Sequence, residues 1–265
     1  MVFSATMLVP AIVSFFYEDG ASKAFLIAFA ITFCTGLTCW LPTRKNPTEL
    51  GIRDGFVVTV LFWTVLGFYG ALPLMLEERL QLNFTDAVFE SLSGLTTTGA
   101  TVIDGLDDLP KSVLFYRQQL QWLGGMGIIV LALAVLPMLG VGGMQLFRAE
   151  TSGPIKDSKI TPRIAETAKA LWYLYLGLTV ACAFAYWLAG MSLFDAVAHS
   201  FSTVSIGGFS THDASIGYYN SPLIESICIL FMLISGINFA LHFLAWRYRS
   251  LKNYWQDPEC RAYVL

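Results

Sequence analysis

The chain has 265 residues, 55% of them apolar and only 13% charged, against roughly 25% charged in ordinary soluble domains. With a positive mean hydropathy, this excludes a typical water-soluble fold and points to a polytopic membrane protein. A formal net charge of −3 leaves no basic footprint for nucleic acid.

In chain order, the opening "MVFSATMLVPAIVSFFYEDG" lacks the basic stretch of a signal peptide. Glu18 and Asp19 stand where a small-residue cleavage site would fall, so the segment reads as a first membrane helix. Apolar runs follow to give candidate spans at about 2–16, 24–41, 55–76, 117–139, 168–190 and 222–246. Most approach the ~20 residues that cross a hydrocarbon layer of ~30 Å as a helix. Two further stretches, about 84–95 and 193–204, are too short to span and end in Ser/Thr/Gly runs. Such backbone is tolerated at membrane depth only where protein buries it or where it lines a watery cavity. The five cysteines, at 34, 39, 182, 228 and 260, form no CxxC pair and read as small core hydrophobes.

Charge sets the orientation. Arg44, Lys45 and Arg53 follow the second span, Arg148, Lys156, Lys159 and Arg163 the fourth, and Arg247, Arg249 and Lys252 the sixth. These loops are expected on the cytoplasmic side. The opposite loops carry Glu18, Asp19, Glu77, Glu78, Asp104, Asp107 and Asp108, so both short stretches are expected to enter from outside.

The short stretches are copies of one another. "NFTDAVFESLSGLTTTGAT" from Asn83 aligns without gaps to "SLFDAVAHSFSTVSIGGFS" from Ser192, pairing Asp86 with Asp195, Ser93 with Ser202 and Gly99 with Gly208. Each is flanked by long apolar helices, which gives a unit of span, re-entrant helix, loop and span, present twice. Each re-entrant helix opens on a cap, Asn83 or Ser192, with an aspartate three residues on. Its C-terminus, partially negative, then faces into the membrane and attracts cations. Beyond it, Thr96-Thr97-Thr98-Gly99 and Ser205-Ile206-Gly207-Gly208 hold no ionising side chain. Extended backbone there would present carbonyl oxygens in place of a cation's hydration shell, and glycine permits a carbonyl to turn inward.

The stretches "FESLSGLTTTGAT" and "HSFSTVSIGGFSTHDASIGY", with "LQWLGGMGIIVLALAVLPMLGVGGMQL" between them, resemble the TrkH-type bacterial potassium transporters of the Trk/Ktr/HKT superfamily. The resemblance runs from about Met7 to Tyr254. It implies an all-α polytopic membrane protein with potassium-channel-like pore repeats, of which the first two of four fall in this chain. The implied division is two initial helices at 1–50, a first pore repeat at 51–147, a cytoplasmic linker at 148–165, a second repeat at 166–250, and the start of a following one at 251–265. Carried over by position, Thr96, Thr97, Thr98, Gly99, Ser205, Ile206, Gly207 and Gly208 would form two walls of a potassium filter. The main-chain carbonyls of Thr97, Thr98, Ile206 and Gly207 would be ligands to potassium. Related plant transporters with serine in the first repeat prefer sodium, so Gly99 argues for potassium. The resemblance further implies potassium uptake across the bacterial inner membrane, no enzymatic activity and no organic cofactor. The implied partners are the lipid bilayer, a second copy in a homodimer, the remaining C-terminal repeats and a cytosolic nucleotide-binding regulatory ring.

Other residues carry competing readings. Gly124, Gly125 and Gly127 could hinge the fourth span, but small residues in membrane helices more often allow close packing; Gly140, Gly142 and Gly143 read as its end. Glu90 and His199 align on the two re-entrant helices, where a structural hydrogen bond behind the filter is favoured over a proton relay. Arg117 is placed near an interface, able to snorkel, without a role. His242 reads as helix-end packing, and the acidic loop "DGLDDLP" as a weak, screened cation attractor. Proton-coupled symport through the same filter stays open. An intramembrane hydrolase using Ser91 or Ser93 with His199 is disfavoured because no nucleophile elbow or metal motif is present.

Overall fold

The computed structural model describes residues 1–44, 52–130 and 160–265. Lys45, the arginine and lysines at 148, 156 and 159, the glycines at 140, 142 and 143, and most of the linker at 148–165 lie outside them. The described elements are α-helices with short 3-10 turns. α1 (Val2–Ala5), α2 (Leu8–Tyr17) and α3 (Ser22–Thr43) precede two similar units. The first unit is α4 (Ile52–Leu76), α5 (Phe84–Leu95) and α6 (Lys111–Val130). The second is α7 (Ile160–Leu188), α8 (Leu193–Val204), α9 (Pro222–Gly236) and α10 (Phe239–Tyr248). Short helices α11 (Lys252–Gln256) and α12 (Pro258–Val264) follow.

The short helices fall where their capping signals put them. Asn83 Oδ1 accepts from the Asp86 amide at 2.9 Å, and Ser192 Oγ from the Asp195 amide at 3.1 Å. α5 packs between α4 and α6, and α8 against α7, α6 and α9. The first unit's core joins Phe25, Ala71, Leu74, Tyr116 and Leu120; the second's joins Leu171, Tyr175, Cys182, Tyr186 and Val204. Large apolar side chains such as Phe15, Phe16, Val60, Tyr173, Leu188 and Leu230 point outward. That arrangement suits hydrocarbon and would be costly in water.

Two expected spans are broken. The N-terminal segment divides at Thr6-Met7, where Pro10, lacking an N–H, cannot reach the Thr6 carbonyl. That carbonyl accepts from Gln119 Nε2 at 2.8 Å instead. The span expected over 222–246 does not run straight: α9 and α10 are bent by 87°. The chain extends at Ile237, Asn238 caps α10 through the Ala240 amide at 3.0 Å, and His242 Nε2 donates at 2.9 Å to the Ile234 carbonyl, which also accepts from the Ile237 amide. Among the described residues, Ser22–Thr43 and Ala168–Leu188 are each long and apolar enough to cross a membrane unaided. Cys34 and Cys39 lie exposed on α3 rather than in the core, while Cys182 and Cys260 are buried as expected.

Candidate ion-coordination site

α5 and α8 end against the same helix. On α6, a Cβ added at Gly124 would lie 1.8 Å from the Leu95 carbonyl oxygen, at the end of α5, and one at Gly125 would lie 2.9 Å from Ser205 Cβ, just past the end of α8. Adjacent glycines thus seat both C-termini, as expected for packing rather than a hinge. The partially negative ends of two helices are thus brought to one turn of α6.

Both loops beyond those ends have the same backbone. φ is +55° at Thr97 and +54° at its repeat counterpart Ile206, then +76° at Gly99 and +84° at Gly208. A positive φ at every second residue departs from a regular strand, in which φ is negative throughout. Left-handed angles are unusual at threonine and isoleucine, and such strain clusters at ligand sites. The loops meet: a Cβ on Gly99 would fall 2.0 Å from the Gly207 carbonyl oxygen.

Thr96 closes α5, its hydroxyl donating to the Leu92 carbonyl at 2.7 Å and lying 2.8 Å from the Thr98 hydroxyl. Ser205 closes α8, its hydroxyl donating to the Ser202 carbonyl at 3.2 Å. The amides of Thr97, Thr98, Ile206 and Gly207 point back to the helix ends. Among the described residues, no donor reaches the carbonyls of Thr96, Thr97, Thr98, Gly99, Ser205, Ile206 or Gly208. The Gly207 carbonyl departs from the expected ligand set, because it accepts from Gln121 Nε2 at 2.7 Å and is turned toward α6 and the first loop. Also among the described residues, no His, Cys, Asp and Glu side chains cluster to hold a metal.

Behind the loops, Glu90 and His199 occupy equivalent places. Glu90 accepts from the Thr101 hydroxyl at 2.9 Å and the Val102 amide at 3.0 Å. His199 Nε2 lies 2.9 Å from the hydroxyl of Ser210, the repeat counterpart of Thr101, while its Nδ1 donates to the Asp195 carbonyl. Arg117 does not snorkel. It is 1% exposed, pairs with Glu90 at 2.8 Å, donates to the Ser210 carbonyl at 3.3 Å and lies over the Phe209 ring. The reason is positional: α6 starts at Lys111 and is packed against both α5 and α8, so its second turn is interior. Arg117 and Gln121 were missed as loop contacts, and their one signal was the polar run "RQQLQ" within a membrane helix.

Beyond the two loops the units are tied again. His212 Nδ1 donates to Asp107 while its ring stacks on Tyr218 at 3.6 Å, and Asp213 accepts from the Leu106 amide at 3.1 Å. The hydrogen bond from His212 holds the Asp107 carboxyl below the usual range. In the acidic loop, this carboxylate is therefore a structural partner.

Two units of span, short pore helix, loop and helix, repeated in sequence and touching at their loops, define a helical membrane protein of the potassium-channel-like pore-loop class. The sequence model of the TrkH family, described as cation transport protein, matches residues 21–265, and the chain belongs to that family. It is 60% identical to the Trk system potassium uptake protein TrkH of Vibrio parahaemolyticus, 62% to that of Halomonas elongata and 60% to that of Escherichia coli. Each alignment covers 100% of this chain and 55% of the relative, so the chain spans about half the length of these curated relatives. The crystal structure of the potassium transporter TrkH from Vibrio parahaemolyticus superimposes with a TM-score of 0.89 at 56% identity, over 99% of this chain and 53% of that one.

Proposed function

We propose that this chain supplies two walls of a potassium-selective filter in a transporter for potassium uptake across the bacterial inner membrane. The observation that carries the reading is the meeting of Gly99 with Gly207, with the carbonyls of Thr96, Thr97, Thr98, Gly99, Ser205, Ile206 and Gly208 lacking described donors. Carbonyls without donors, beside two negative helix ends, suit a dehydrated monovalent cation. Potassium is the cargo, and the relatives' names supply that choice. Two walls leave the ring open, so the reading assigns the remaining walls to further repeats of the same protein. The division of the chain into initial helices, first repeat, linker and second repeat belongs to the same proposal. So do homodimer formation and docking of a cytosolic nucleotide-binding ring.

Gly99→Ser in the full-length transporter is the test. Serine meets the Gly207 carbonyl and must hold a left-handed φ, a strain of roughly 1–2 kcal/mol. Shifting the loop to relieve it should lower potassium-over-sodium discrimination about tenfold. Rubidium and sodium flux in proteoliposomes measures the ratio, and an unchanged ratio would overturn the filter reading.

A further inference from the structure

The two loops are held in different ways. In the first, Ser93 at the end of α5 donates its hydroxyl to the Ala100 carbonyl at 2.5 Å. Its repeat counterpart Ser202 donates to the His199 carbonyl at 3.1 Å instead, so Phe209, the counterpart of Ala100, receives nothing from α8's serine. What holds Phe209 comes from the other unit. Gln121 of α6, fully buried, donates from Nε2 to the Gly207 carbonyl at 2.7 Å and accepts at Oε1 from the Phe209 amide at 3.0 Å. Engaging the carbonyl of one residue and the amide two residues on is how one residue of a parallel strand grips its neighbour.

This grip fixes a direction. In a trans peptide the N–H and C=O point opposite ways, and no peptide among the described residues is cis. With the Phe209 N–H aimed at α6, the Gly208 carbonyl must face the side away from α6, where no described donor meets it. Gly208 has φ +84°, and a Cβ built on it would find nothing within 4 Å. Neither local packing nor a side chain of its own fixes its peptide planes. We propose that Gln121 is a positioning residue, a first-repeat side chain that sets the carbonyl directions of the second loop and through them its ion discrimination. The inference rests on reading these loops as the filter.

The experiment uses the full-length transporter with Gln121→Leu and Gln121→Met, each of which removes both hydrogen bonds at similar volume. Should one fail to accumulate in membranes, the other removes the same contacts. Rubidium-over-sodium flux is expected to fall about tenfold, the scale set by two lost hydrogen bonds, in protein that remains monodisperse in detergent. A residue that only supported folding would lower the amount of active protein and leave the ratio alone. Gly99→Ser, measured alongside, separates the failures. If it shifts the ratio and the Gln121 variants do not, the positioning role is overturned while the filter reading stands. If none of them shifts it, the filter reading falls and this proposal with it.

Discussion

At the residue scale, the most consequential contact is a buried ion pair that the sequence did not announce. Arg117 and Glu90 are 1% and 0% exposed and meet at 2.8 Å. Each also engages the first loop through Thr101, and Arg117 alone reaches the second through Ser210. Removing one member of such a pair strands the other, a loss of roughly 3–5 kcal/mol, whereas replacing both is far milder. Arg117→Met should therefore markedly lower the thermal stability of the full-length protein in detergent, and adding Glu90→Gln should recover most of the loss. Equal destabilisation by the single and double variants would mean that the pairing is not what holds the loops. The alignment of Glu90 with His199 was legible because the repeat is gapless. Their partners were not, since Thr101 and Ser210 can be matched to them only once the chain has turned back beyond the pore helix.

At the element scale, what could be read from sequence was what local chemistry determines. The bounds of α5 and α8 followed from Asn83 and Ser192 as caps and from the polar residues after Leu95 and Val204. The break between α9 and α10 escaped, because Gly236 and Asn238 are weak signals inside an apolar run and the compensating donor, His242, lies beyond the break. A further cap crosses between elements. Asp19, in the turn between α2 and α3, accepts from the Ser112 amide in the first turn of α6 at 2.8 Å. Burial alone would raise its pKa, but hydrogen bonds from Ser14, Ser112 and Ala21 outweigh this and hold it below the ordinary value. Asp19→Ala should cost about 1 kcal/mol, and Asp19→Asn, which keeps an acceptor, clearly less. Thermal inactivation of the two variants checks this, and identical losses would rule out capping as the role.

At the scale of the whole molecule, the two units are joined at two depths. α6 of the first unit carries Gly124 and Gly125 under both pore helices and Gln121 into the second loop, while the segments after the two loops are tied by Asp107 and His212. The repeat made the pairing of the units predictable, but not α6 as their shared wall, because helix neighbours are a tertiary choice. The tie between Asp107 and His212 makes a prediction with a definite sign. The Asp107 pKa is depressed by the hydrogen bond from His212, so its contribution is complete above the ordinary carboxylate value of about 4. It is lost as pH falls through the lower value of the folded state. Stability between neutral pH and about 5 should thus be indifferent to this group. Below about pH 4 the wild-type protein should lose stability more steeply than Asp107→Asn, in which the carboxylate is already gone. Inactivation rates of both proteins at a series of pH values compare the slopes. Parallel curves down to pH 3 would mean that the two units are held together without this contact, by α6, the meeting of the two loops and the bond from the Leu106 amide to Asp213.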